Sequence, residues 1–267
     1  MDAARERAPL AWVRTRLPLL TRPLFRLRHS FPFATLIALL LFATSFASTD
    51  AGRPPPHLTV LFLGDSVTVG AGASASDSRY ASIVMQRLRS SGFDADDETI
   101  VSAFGGIYTD LVKATELRAD TNESGTLIIV EVGAHSVIEN RAMPLATYQH
   151  AYGLMLDCLE ATGAALVVGT VPSLNWTSSD ALYARADAIS SIIAHEAGSR
   201  GIPVADIWSA TRDRPDLVSD DHMHPNAGGH RVIADLYWQH IASMLPPTPR
   251  TPSACPYAVS DLARVVS

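Results

Sequence analysis

Ser66 and His224 have the side-chain types and surroundings to do chemistry together, although 158 positions separate them. Ser66 ends the tripeptide Gly64-Asp65-Ser66, which follows the apolar run from His57 to Leu63. A serine hydroxyl becomes a nucleophile only when a base takes its proton, and a neutral histidine oriented by a carboxylate is a recurrent solution. Both partners occur in Asp221-His222-Met223-His224-Pro225. Asp221 and His224 are three residues apart, so in a turn or helix start their side chains can lie on one side. The carboxylate can then hold the imidazole in the tautomer whose free nitrogen faces Ser66. Pro225 and Asn226 open a last helix and place this turn in a fixed loop.

Each residue also has a plainer role. Gly-Asp-Ser is an ordinary turn composition, Ser66 could cap a helix, and Asp65 reads as a loop hydrogen-bonder rather than an acid. His222 and His224, with Asp220 and Asp221, could ligate a metal as His-x-His pairs do, but no third strong ligand motif accompanies them. His230 reads as a capping or packing residue of the last helix.

The chemistry requires a scaffold that brings distant segments together. Strands are expected at Leu58–Leu63, Thr99–Phe104, Thr126–Val132, Ala165–Gly169 and Pro203–Ile207. Helices are expected at Ala81–Arg89, Ala146–Thr162, Asp180–Ala197 and after Asn226. The alternation predicts an α/β fold of three layers, α/β/α, with a five-stranded parallel sheet. Its binding crevice lies at the carboxyl ends of the strands, where the loops Gly64–Thr68, Gly105–Thr109 and Gly133–Ser136 converge.

With 267 residues, 47% of them hydrophobic, the chain can bury one sizeable core and is not of a disordered or collagen-like class. Residues 1–47 hold seven arginines and two acids of the 21 basic and 27 acidic residues, which leaves 14 basic against 25 acidic, a net charge of −11. An acidic domain argues against nucleic acid as the substrate. Residues 31–47 are almost wholly apolar and end in small side chains. Within a 1–50 export region they read as a signal peptide cleaved near Ser48, or as an uncleaved membrane anchor, with the catalytic domain outside the cytoplasm in both cases. Residues 51–56 form a Pro-rich linker, 57–245 the domain, and 246–267 a Pro-rich tail leaving it. Cys158 and Cys255 could form a disulfide tying that tail down, or remain a buried thiol and a loose one.

Over most of residues 57–245 the chain resembles the SGNH or GDSL hydrolases, a flavodoxin-like architecture. The first block of that family looks like Gly64-Asp65-Ser66, the second like Phe104 to Leu111, and the last like Asp221 to Pro225. The resemblance implies Ser66 as nucleophile, His224 as base and Asp221 as its orienter. It also implies an oxyanion hole from the backbone N–H groups of Ser66 and Gly105, with Gly106 as the fallback. It implies hydrolysis of esters or thioesters through an acyl-enzyme, without metal or organic cofactor. The substrate would be a small-molecule, lipid or acetylated-carbohydrate ester.

The third block departs from the pattern glycine, any residue, asparagine, because the chain has Gly133, Ala134 and His135. An imidazole N–H can donate in place of the amide, though it is bulkier and its charge depends on pH. Otherwise His135 is a loop histidine pointing away from the crevice. Losing one oxyanion donor lowers turnover by about 10²–10³-fold. That departure motivates a second reading, a weakened glycan- or lipid-binding module; a third is acyl transfer to a sugar. Tyr108 and Trp176 could stack on a sugar ring or simply pack, and Asn122 and Asn175 head glycosylation triplets. Oligomeric state is not legible.

Overall fold

The computed structural model describes residues 54–101, 106–117, 125–138, 142–173, 180–248 and 250–258. The export region expected at 1–50, Gly105, Asn122, Asn175 and Trp176 lie outside the described residues.

Five parallel strands form one sheet in the order β2-β1-β3-β4-β5. They are β1 (His57–Gly64), β2 (Asp94–Val101), β3 (Gly125–Glu131), β4 (Ala165–Gly169) and β5 (Val204–Ala205). The helices are α1 (Ser66–Val69), α2 (Tyr80–Ser90), α3 (Ile107–Glu116), α4 (Ala134–Ile138), α5 (Leu145–Ala161), α6 (Ala181–Ser199), α7 (Ile207–Thr211) and α8 (Ala227–Met244).

Alternate strand residues feed two separate cores, because successive side chains point to opposite faces. Leu61, Leu63, Ile128, Val130 and Val168 pack with α3, α5 and α6 on one face. Leu58, Val60, Phe62, Ile129 and Val167 pack with α2 and α8 on the other. The result is the expected three-layer α/β/α sandwich. Both faces of β1 and β3 are covered, which is why these strands read as continuous apolar runs.

The chain leaves β1 toward β2 on one side and then places β3 on the other, so the strand order reverses at β1 and β3. That reversal opens a crevice at the carboxyl ends of those strands.

The fifth strand is confined to Val204–Ala205, with Ile207 opening α7, and two further expectations need correction. The second strand is Asp94–Val101, starting five residues before the expected Thr99. It is an edge strand whose described part buries only Ala95, so Asp94, Asp96 and Asp97 occupy solvent-facing positions that no apolar pattern marks. The described residues of the Pro-rich tail, 246–248 and 250–258, do not leave the domain. Pro247 lies over Gly125, and the Arg250 carbonyl lies over Gly163, at the amino ends of β3 and β4. Ser253 N–H then donates to the Ala161 carbonyl at 2.6 Å, Cys255 is bonded to Cys158 (S–S 2.06 Å), and the Tyr257 hydroxyl donates to Asp157 at 2.8 Å.

Candidate active site

Ser66 is the first residue of α1, and the turn that presents it is fixed on both sides. Asp65 caps α1, its Oδ1 accepting from Val67 N–H at 3.0 Å, and Gly70 ends the helix at φ 102°. Gly64 sits in register with Val101 and Glu131, and a Cβ there would strike Thr68 Oγ1 and lie 2.5 Å from the Glu131 carbonyl. Only glycine leaves room here for Thr68 and the β3 backbone to approach this closely.

The base comes from the loop before α8. Leu217 to Asn226 closes on itself through Ser219 N–H to the His224 carbonyl (2.8 Å) and Asn226 N–H to the Leu217 carbonyl (2.8 Å). The Asn226 side chain accepts from Gly228 and Gly229 N–H and donates to the Asp216 and Val218 carbonyls, joining the loop to the helix N-terminus. Gly72 admits this loop to the serine turn, since a Cβ there would strike the Pro225 carbonyl and lie 2.8 Å from His224 Cβ.

These supports bring Ser66, His224 and Asp221 into one line. Ser66 Oγ is 2.9 Å from His224 Nε2, and His224 Nδ1 is 2.7 Å from Asp221 Oδ2. The network assigns the tautomer: Nδ1–H donates to the carboxylate and Nε2 accepts the serine proton. Asp221 Oδ1 accepts from Ser219 Oγ (2.6 Å), Met223 N–H (2.8 Å) and His224 N–H (2.9 Å). Desolvation pushes the Asp221 carboxyl up, but the hydrogen bonds from Ser219 and His224 and from two backbone amides outweigh it and hold the carboxyl far below the usual carboxylate range. Asp221 is thus a fixed anion beside the imidazole. Both ring nitrogens of His224 are engaged, which suits a proton shuttle rather than a metal ligand. His222, read from the sequence only as a possible metal ligand, adopts φ 57° between the two and lets the backbone fold over Asp221 Oδ1.

On the oxyanion side, Ser66 N–H is the first amide of α1 and has no intrahelical carbonyl to bind. Gly105 lies outside the described residues; Gly106 caps α3 at φ 57°. His135 is half-buried on α4, near enough to Asp65 for its charge to act on that carboxyl. Its turn is tied down twice: Ser136 Oγ accepts from Ile107 N–H at 3.3 Å, and Arg185 donates to the Ser136 and Met143 carbonyls, each at 3.0 Å. Ser136 and Arg185 join α3, α4 and α6 around this loop, a role their sequence contexts do not advertise. Tyr108 is half-buried and packs against the core.

His230 is fully buried, accepting from Tyr80 N–H at Nδ1 (3.3 Å) and donating to the Ala71 carbonyl from Nε2 (3.0 Å). It packs in the last helix, as its position suggested, and ties α8 to the segment after α1. Sequence reasoning missed Glu131, a carboxyl buried at the end of β3, although an acid closing the run TLIIVE was the available signal.

Residues 62–232 match the GDSL-like lipase/acylhydrolase family. No curated protein matches the chain. Among solved structures, it is similar to TesA (17% identity, TM-score 0.58), covering 70% of this chain and 99% of that one. It is also similar to the psychrotrophic esterase EstA of Pseudoalteromonas sp. (16% identity, TM-score 0.55, 70% of this chain and 98% of that one). A third is Axe2, an acetylxylan esterase of Geobacillus stearothermophilus (16% identity, TM-score 0.55, 68% of this chain and 93% of that one).

Proposed function

The chain belongs to the GDSL-like lipase/acylhydrolase family and is an ester-hydrolysing enzyme, and from that premise we propose that it cleaves carboxylic esters through an acyl-enzyme on Ser66. The observation that carries this reading is the unbroken hydrogen-bond chain from Ser66 Oγ to His224 and on to Asp221, at 2.9 and 2.7 Å.

His224 Nε2 takes the serine proton as Oγ attacks the ester carbonyl, and the imidazolium is stabilised by the anionic Asp221. This reading assigns the tetrahedral oxyanion to the N–H groups of Ser66 and Gly105, with His135 in the role of the usual amide. His224 then gives the proton to the leaving alkoxide. A water repeats the sequence on the acyl-enzyme, restoring Ser66.

The proposed substrate is a short ester of a lipid or an acetylated carbohydrate. Support for the carbohydrate class comes from Axe2, whose description is that of an acetylxylan esterase. Val69, three residues after Ser66, and Met223, next to His224 in the chain, are exposed apolar side chains that this reading assigns to the acyl group. The proposed site of action is outside the cytoplasm. The Cys158–Cys255 bond suits an oxidising compartment, and the apolar stretch 31–47 suits export, by cleavage or as an anchor. Among the described residues no helix is long and apolar enough to cross a membrane, and 31–47 is not among them.

Hydrolysis of short p-nitrophenyl esters by the full chain and by Ser66→Ala tests the mechanism. Turnover should disappear in the variant, and equal rates would remove Ser66 from it. Product analysis with and without a glycan acceptor separates hydrolysis from acyl transfer.

A further inference from the structure

Two carboxyls are buried directly behind the proposed nucleophile, and the mechanism uses neither. Glu131 ends β3 in register with Gly64, the residue that leads into Asp65 and Ser66. Glu131 is 0% exposed and Asp65 4%. Each has one oxygen bound by a donor: Asp65 Oδ1 accepts from Val67 N–H at 3.0 Å, and Glu131 Oε2 accepts from Thr68 Oγ1 at 3.4 Å. Thr68 in turn pairs with the Tyr80 hydroxyl at 2.9 Å. The remaining oxygens, Asp65 Oδ2 and Glu131 Oε1, are buried and meet no donor. Register sets Glu131 beside Gly64, the residue before Asp65, and each buried carboxyl shifts the titration of the other. Two ionised carboxylates there would be both unsatisfied and mutually repulsive, which is untenable in a dry site. A single hydrogen between them resolves both orphans.

We propose that Asp65 and Glu131 share one proton, carried on Glu131 Oε1 and donated to Asp65 Oδ2, and that this bond makes Glu131 a positioning residue for the turn presenting Ser66. The inference rests on Ser66 being the nucleophile.

The surrounding charges decide which partner keeps the proton. Burial drives the Glu131 carboxyl well up, the Asp65 charge adds to this, and Asp110 on α3 raises it further. Burial also raises Asp65, but the Val67 amide, His135, His224 and the bond from Glu131 pull it back. Tyr80 and Tyr237 pack nearby, and burial holds both phenols neutral. One negative charge therefore stays next to Ser66. It favours the imidazolium that forms on His224, whereas a second charge would oppose the oxyanion. The shared proton also bolts the end of β3 to the cap of α1, so the serine turn and the His135 turn move as one unit.

The test uses the purified full chain. The infrared carbonyl band of a protonated carboxylic acid should be present at neutral pH and vanish in Glu131→Gln; its absence from the wild type overturns the proposal. Glu131→Gln keeps a donor toward Asp65 and should label with a fluorophosphonate near the wild-type rate. Glu131→Leu removes the donor and should label about 10²-fold more slowly through misplacement of Ser66, with KM for a p-nitrophenyl ester little changed. Equal labelling of Glu131→Leu and wild type overturns the positioning role. If the wild type itself fails to label at Ser66, the nucleophile reading falls instead, while the infrared result still reports on the proton. If Glu131→Leu does not fold, the band and the Glu131→Gln rate decide.

Discussion

Asp221 binds His224 twice, through Oδ2 to the ring Nδ1 at 2.7 Å and through Oδ1 to its backbone N–H at 2.9 Å. The carboxylate thus fixes both the tautomer of the imidazole and the stretch of chain that carries it. Asp221→Asn places an amide against Nδ1–H and favours the wrong tautomer, so kcat should fall by about 10³–10⁴-fold while the fold persists. Steady-state kinetics with circular dichroism as a folding control checks this. Because Asp221 is held far below the usual carboxylate range, acid loss of activity in the wild type should not report its titration.

His222 is the non-glycine residue at positive φ among the described residues, at 57°. A left-handed conformation costs an L-residue about 1–2 kcal/mol, and glycine escapes that but loses about as much in unfolded-chain entropy. His222→Gly should therefore change stability little. His222→Val introduces a β-branched residue that the conformation disfavours, and should destabilise by about 1–3 kcal/mol and lower kcat by tilting Asp221. Chemical denaturation of both variants is the measurement. A stable, fully active valine variant would show that the loop does not depend on this backbone state.

The base loop was legible in the sequence because its chemistry is local: Asp221, His224 and Pro225 occur together, and the loop's turn can be read from them. The serine turn was legible because an apolar strand stops abruptly at Gly64 and Asp65. Other features depend on long-range contacts that leave no local trace. The start of β2 was missed because an edge strand does not need apolar residues on an exposed face. Glu131 stands in the sequence as the acid closing β3, but its pairing in register with Gly64, next to Asp65, is long-range. Ser136 and Arg185 act through backbone atoms of neighbouring segments, so composition cannot reveal them.

His230 should make stability sensitive to mild acid. Burial lowers its pKa from the ordinary 6.5, despite the opposing bond to the Ala71 carbonyl, and the His224 charge lowers it further. The folded state therefore binds fewer protons than the unfolded chain as pH falls through 6.5, and a lowered histidine contributes stability at high pH that is lost on acidification. Stability from this site should be full above about pH 6.5 and decline below it until the folded pKa is passed. Protonation would also turn Nδ1 into a donor facing Tyr80 N–H. Urea unfolding at several pH values tests this. His230→Gln keeps polar contacts without titrating and should show a shallower acid slope; an unchanged slope would assign the effect elsewhere.

The disulfide should stabilise the domain without touching its chemistry. Cys158 and Cys255 are 97 residues apart, and closing a loop of that size constrains the unfolded chain strongly. The tail it anchors packs against Gly125 and Gly163, at the amino ends of β3 and β4, whereas Ser66 and His135 follow the carboxyl ends of β1 and β3. Cys255→Ser should therefore lower unfolding free energy by about 2–4 kcal/mol. Cys158 is buried, so the double serine variant should lose more by placing a hydroxyl in the core. At temperatures where each variant remains folded, kcat and KM should match the wild type. A loss of kcat in a folded Cys255→Ser protein would mean that the tail communicates with the crevice through the sheet.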